Sequence, residues 1–192
     1  MDDVDLHAWV DESIHLDVRS GGFYILAAAV GEPGLALDDA REMLQSIVPR
    51  PRQRLHWHDE DERTRAAAVD AIAGLNVVHI VVVRTRVDPR RQERARRKCL
   101  ERMLFELSGH GVSQAWFESR TQSLNQRDLE IFAALRGSGI ITDNIRADFS
   151  RPRDEPLLWI PDVVAGAVAV ARKAHDERYR RPLADSIDEI EI

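Results

Sequence analysis

The sequence predicts an α/β protein: a mixed sheet with helices packed on its faces. Three observations predict it. Apolar runs of strand length recur at Phe23–Val30 and Val77–Val83. Between and after them, apolar residues return at steps of three and four, as on one face of a helix. The order also matters: two strands come first, and strand–helix alternation follows, which gives a sheet of mixed direction covered by helices.

The elements follow in order. Trp9 and Val10 suit a first strand that leads into Asp11-Glu12-Ser13, and Gly21-Gly22 turns the chain into the second, Phe23–Val30. Gly31-Glu32-Pro33-Gly34 breaks the pattern before a helix, where Leu37, Ala40, Met43, Leu44 and Ile47 share a stripe. Pro49 and Pro51 stop that helix, and Leu55-His56-Trp57-His58 is extended or loop. The acids Asp59–Glu62 open a helix to Ala73, as suits the positive end of its dipole, and Gly74 closes it. After the strand Asn76–Val83, Asp88-Pro89 reads as an N-cap with proline behind it, opening a long helix to Ser108. A strand at Val112–Phe117 carries Glu118 at its end, a helix spans Leu124–Leu135, and a weaker strand spans Asn144–Phe149. The last helix starts near Pro156 or Pro161 and runs to about His175. Residues 1–180 read as one domain, and 181–192 as an acidic, frayed tail.

Composition excludes several classes. With 27 basic and 33 acidic residues the formal net charge is −6, against wholesale nucleic-acid binding. No apolar run approaches the roughly 18 residues of a membrane span. The N-terminus lacks the basic-then-apolar pattern of a secretory signal, and a single cysteine, Cys99, cannot form an internal disulfide. These features set a reduced, cytoplasmic expectation without a membrane partner. Charge is uneven, however: Arg84–Lys98 holds eight basic residues against Asp88 and Glu93. Such a stripe suits a phosphate backbone, or simply a solvated helix face.

Four carboxylates fall where the predicted sheet would expose them together. Asp11 and Glu118 end two strands, and ligands of α/β sheets bind beyond strand carboxyl ends. Asp162 opens the last helix, whose small residues Ala165, Gly166 and Ala169 allow a close approach to the sheet. Glu93 stands early in the helix after Val83, expected at the same rim. Singly, each acid reads as a surface charge or a cap. Together they would repel unless a cation joined them, and hard oxygen donors suit Mg²⁺ or Mn²⁺. Two such ions roughly 4 Å apart serve phosphodiester hydrolysis.

Five segments carry a resemblance over nearly the whole chain: Trp9-Val10-Asp11-Glu12-Ser13; Tyr24-Ile25-Leu26-Ala27; Leu55-His56-Trp57; Trp116-Phe117-Glu118-Ser119-Arg120; and Glu155 through Gly166. They resemble the family called domain of unknown function 3800, itself similar to the ribonuclease H-like (retroviral integrase-like) fold. The resemblance implies a five-stranded mixed sheet flanked by helices, with 35–74 as a helical insertion between the second and third strands. It implies metal-binding acids at Asp11, Glu118 and Asp162. Glu118 stands where aspartate is more usual. Glu12 beside Asp11 joins the candidate ligands, and Glu93 does so by position alone. The resemblance also places a histidine at His56, a candidate proton shuttle or substrate contact.

The reading is a Mg²⁺- or Mn²⁺-dependent nuclease acting on RNA or DNA. Arg84, Arg90, Arg91, Arg94 and Arg97 would contact the backbone, with Arg120 near the scissile phosphate or paired to Glu118. Two rivals stand beside it. One is a non-catalytic interaction module whose protein partner grips the 35–74 insertion or the acidic tail. The other is a zinc hydrolase using His56 and His58, whose imidazoles project to one side of an extended segment. No phosphate-loop or dinucleotide fingerprint is present.

Overall fold

A computed structural model describes residues 5–16, 21–48, 54–142 and 144–192. The apolar runs pair as the alternation predicts. Strands β1 (Leu6–His15) and β2 (Gly22–Gly31) are antiparallel, and β2 is antiparallel to β3 (Val78–Val87). Strand β4 (Val112–Glu118) lies parallel to β1, and β5 (Arg146–Ser150) parallel to β4. A sixth strand, β6 (Ile187–Glu191), lies parallel to β3, which gives the order β5-β4-β1-β2-β3-β6. Only β2 runs against the rest, so the carboxyl ends of β1, β3 and β4 share one rim.

The frayed tail is therefore corrected to an edge strand. Ile187, Ile190 and Ile192 pack on the two cores, and Glu189 is gripped by Arg172 and Arg180 at 2.6 and 3.0 Å. The sheet has six strands rather than five for the same reason.

Helices cover both faces. On one lie α1 (Leu35–Ile47), α2 (Glu62–Ala73) and α5 (Trp159–Ala174), packed on Trp9, Ile25, Ala27, Val81 and Val83. On the other lie α3 (Gln92–Gly109) and α4 (Gln122–Gly137), packed on Val10, Leu26, Val82 and Phe117. Between β2 and β3 lie α1, a 3-10 turn at Trp57–Asp59 and α2, an insertion in the sheet order. Asp61 caps α2 by accepting from the Thr64 N–H at 2.7 Å. Arg41 of α1 grips Glu155 ahead of α5 at 2.9 Å, which ties the insertion to the last helix. Pro49 and Pro51 lie outside the described residues, as does part of the β1–β2 connection.

Strand β3 runs four residues beyond its expected end because it contains a bulge. Gly22 pairs with Val87 but Tyr24 with Arg84, so an extra residue is accommodated on β3. The bulge re-phases the strand: Val83 faces α5, whereas Val87 faces α3. Among the described residues no helix is long and apolar enough to cross a membrane.

Candidate carboxylate site

The rim between β1, β4 and α5 forms a cavity of about 320 Å³ lined by Asp11, Glu118, Asp162, His56, His58 and Arg120, among others. Its construction follows from strand alternation. Trp9 and Trp116 face α5, and register pairs Val10 with Phe117. Two residues beyond each tryptophan, Asp11 and Glu118 face the same layer at the strand ends. Asp162 occupies the first turn of α5. The 3-10 turn at Trp57–Asp59 comes close to α5 because Gly166 lies under the Trp57 indole, where a β-carbon would stand 2.3 Å from the ring.

The cavity is electrostatically loaded. Asp11 is 7 % exposed, and its Oδ1 accepts from the Glu12 N–H at 2.7 Å. Burial first, then a hydrogen bond with Glu118 and the charges of Glu118 and Asp162, hold the Asp11 carboxyl well above the ordinary value of 3.8. Burial likewise raises Asp162, although the Trp57 N–H donates to it at 2.8 Å and opposes that rise. Asp11, Glu118 and Asp162 thus line one cavity as neighbouring acids.

The other predicted residues are distributed around this cavity. Glu12 lies at its edge but belongs to the opposite sheet face, where Arg96 of α3 forms an ion pair with it. Glu93 does not line the cavity. Helix α3 does start at the shared rim, but on the far side of the sheet, and Glu93 accepts from Arg120 at 2.9 Å. Arg120 lines the cavity wall, paired with Glu93 and Asp128 rather than with Glu118. His56, extended at the start of the 3-10 turn, and His58 within the turn both line the cavity, with ring centroids 5.8 Å apart. Arg97 pairs with Glu101, Arg91 approaches Asp88 at 3.7 Å, and Arg90 and Arg94 are exposed.

Two features were missed in the sequence. His15 stacks near His58 at 5.7 Å and meets the Ser13 hydroxyl at 3.0 Å, adding a third imidazole at the cavity mouth. Burial, with His58 and Lys173 nearby, lowers its pKa below the ordinary 6.5. Asp128, 3 % exposed, is shared between Arg96 and Arg120 at 2.7 and 2.9 Å. An acid in the middle of α4 gives no sequence signal of that role, whereas His15 two residues after Ser13 on a strand does point to one face.

The donor set suits a hard divalent cation in chemistry, since carboxylates gathered in one cavity repel one another and a cation relieves that repulsion. Among the described residues no group of three or more His, Cys, Asp or Glu side chains is arranged to hold a metal ion as it stands.

No model of a known protein family matches the chain, the domain of unknown function 3800 included. No curated protein matches it either. Among solved structures the chain is similar to RNase HII of Archaeoglobus fulgidus, determined in complex with PCNA. The two share 15 % identity over 94 % of this chain and 87 % of that one, with a TM-score of 0.50. It is also similar to a point mutant of Bst-RNase HIII, at 12 % identity over 90 % of this chain and 56 % of that one, with a TM-score of 0.51. At these identities the likeness shows the fold, which is ribonuclease H-like.

Proposed function

We propose that the protein is a divalent-metal-dependent nuclease whose reacting centre is the cavity of Asp11, Glu118 and Asp162. One observation supports this reading above the rest: acids from β1, β4 and α5, far apart in sequence, line a single cavity at the carboxyl rim of the sheet. Mg²⁺ or Mn²⁺ held by these carboxylates would supply the activation of water and the stabilisation of the leaving oxygen in phosphodiester hydrolysis.

The chain's own residues perform the remaining work. The Trp57 N–H orients Asp162, and the Glu12 N–H orients Asp11. Arg96 holds Glu12 at the cavity edge. Arg120, fixed by Glu93 and Asp128, presents its guanidinium at the wall, where a phosphate oxygen would be received. His56 and His58 stand within the cavity, suited to carry a proton to or from the reacting oxygen. The likeness to RNase HII and HIII supports RNA or DNA as the substrate class.

The test is a melting curve with Mn²⁺, run beside cleavage of labelled RNA, DNA and RNA/DNA hybrid. Wild type should gain thermal stability with Mn²⁺ and cut at least one substrate, while Asp11→Asn stays folded and does neither. A wild-type protein indifferent to Mn²⁺ and Mg²⁺ overturns the reading. The two imidazoles in the same cavity favour zinc as the second reading. Stoichiometric zinc in the purified protein, lost in His56→Ala, would place it first.

A further inference from the structure

Arg65 heads an apolar stripe of α2. Ala68, Val69 and Ile72 follow it at helical spacing, and all three are buried. An arginine on that stripe points inward, and a helical side chain leans toward the N-terminal end of its helix. In α2 that direction leads to the 3-10 turn Trp57–Asp59, which His56 enters and His58 occupies. The backbone from which Arg65 reaches is fixed: its N–H donates to the Asp61 carbonyl at 3.0 Å in the capped first turn. The half-buried guanidinium spends its hydrogen bonds on backbone. Nε donates to the Trp57 carbonyl at 2.9 Å and Nη2 to the His58 carbonyl at 3.4 Å. The guanidinium carbon stands 5.0 Å from the centre of the Trp57 indole. So short a turn leaves its carbonyls short of partners, and that of Trp57 otherwise accepts only from the Glu60 N–H, at 3.4 Å.

We propose that Arg65 is a positioning residue for the carboxylate site, acting through Trp57. That residue is held from both ends: its N–H donates to Asp162 at 2.8 Å, and its carbonyl accepts from Arg65. A guanidinium is planar and presents its donors in a fixed fork. Laid over the indole and bonded to the carbonyl, it sets the ring and the peptide of Trp57 together, and so sets where the N–H points. The bond to the His58 carbonyl fixes the following peptide, so the imidazoles on either side of Trp57 enter the cavity at set places. Arg65 itself does not line the cavity, and it acts on the site acid only through the turn. Partners standing behind metal-holding side chains are typically worth about 10–100-fold in metal affinity or activity. A purely structural tie for the insertion is already supplied elsewhere, by Arg41 with Glu155 and by Arg178 with Glu62, and neither pair touches the turn. This inference rests on the nuclease reading for what the turn serves.

The experiment compares full-length wild type, Arg65→Met and Arg65→Lys by two measurements. The first is hydrogen exchange of the Trp57 amide in EDTA, followed by NMR, which needs no metal. Arg65→Met should speed that exchange by about tenfold or more, the worth of one hydrogen bond from a charged donor. Arg65→Lys keeps the charge and a donor but loses the fork and the planar stack, and should fall between. The second is the Mn²⁺ midpoint for cleavage of the substrate that wild type cuts. It should rise about tenfold in Arg65→Met, with KM for the nucleic acid unchanged. Arg172→Met is the stability control: it releases Glu189 on β6, and should lower the melting temperature while keeping wild-type values in both measurements. An unchanged Trp57 amide in Arg65→Met overturns the proposal, as does a Mn²⁺ midpoint that stays at the wild-type value or moves equally in Arg172→Met. Should Arg65→Met not fold, Arg65→Lys carries the same two measurements. A wild type indifferent to Mn²⁺ strikes the nuclease reading alone, and the exchange measurement still decides whether Arg65 holds the Trp57 N–H on Asp162.

Discussion

The backbone N–H of Trp57 donates to the carboxylate of Asp162 at 2.8 Å, and the indole of the same residue covers Gly166 one turn further along α5. One residue of the insertion therefore fixes both the orientation of a site acid and the depth at which its helix lies. Tyr179 meets the same indole edge-on, at 5.1 Å between ring centroids.

Gly166→Ala should be disproportionately costly. Alanine is the better helix former, but its methyl would stand 2.3 Å from the Trp57 ring. Overpacking of this kind costs about 1–3 kcal/mol, and the neighbouring Ala165→Gly lacks that clash. Urea denaturation measures the loss, and Gly166→Ala should also shrink the Mn²⁺-induced shift, because α5 must move outward with Asp162.

Asp11 should make the metal-free protein less stable as pH rises. Its unfolded carboxyl titrates near 3.8 and its folded one well above, so the folded state retains the proton more strongly. The stability from that proton is complete below about pH 4 and is lost as pH climbs through the folded value. Asp11→Asn keeps an oxygen for the Glu12 N–H and carries no charge. In EDTA it should be more stable than wild type at neutral pH, with the difference closing toward about pH 4. Denaturation midpoints across that range check the sign.

His79 should act in the opposite direction. It is fully buried on β3, neither ring nitrogen has a hydrogen-bond partner among the described residues, and burial lowers its pKa from 6.5 to about 4. The unfolded chain takes up this proton first, so stability is complete above about 6.5 and falls by about 3 kcal/mol as pH drops to about 4. His79→Leu should flatten that acid-side slope in the same denaturation series.

The Arg96 network should show the asymmetry of buried ion pairs. Arg96 is 3 % exposed, donates to Asp128 and Tyr24, and pairs with Glu12. Arg96→Met leaves the buried Asp128 with Arg120 alone and takes the partner from Glu12, and should cost up to about 3–5 kcal/mol, whereas adding Asp128→Leu should recover part of the loss. A double-mutant cycle by chemical denaturation measures the coupling.

Much of this was legible because it depends on local pattern. The alternation around Trp9 and Trp116 assigns Asp11 and Glu118 to one face, and the small stripe of α5 announces a close helix, though not that an indole fills the space. What could not be read depends on distant pairing. Ile187–Glu191 is polar and acidic by composition, and becomes a strand only because β3 offers it an edge about a hundred residues earlier in the chain. Glu93 reached the expected rim, but the sheet face on which α3 packs decided its partner. The bulge of β3 is equally silent, since nothing in Arg84-Thr85-Arg86 marks Arg86 as a residue in the left-handed region.

The position of β6 has one more consequence. It lies outermost, laying Asp188, Glu189 and Glu191 alongside the valine-rich β3. Without this sheath the amides and carbonyls of Val81–Val83 would form an open, strongly apolar border, the kind that recruits strands from other molecules into aggregates. The terminal segment thus closes that border with its own backbone, and sets the exposed carboxylate of Asp188 on the edge that replaces it.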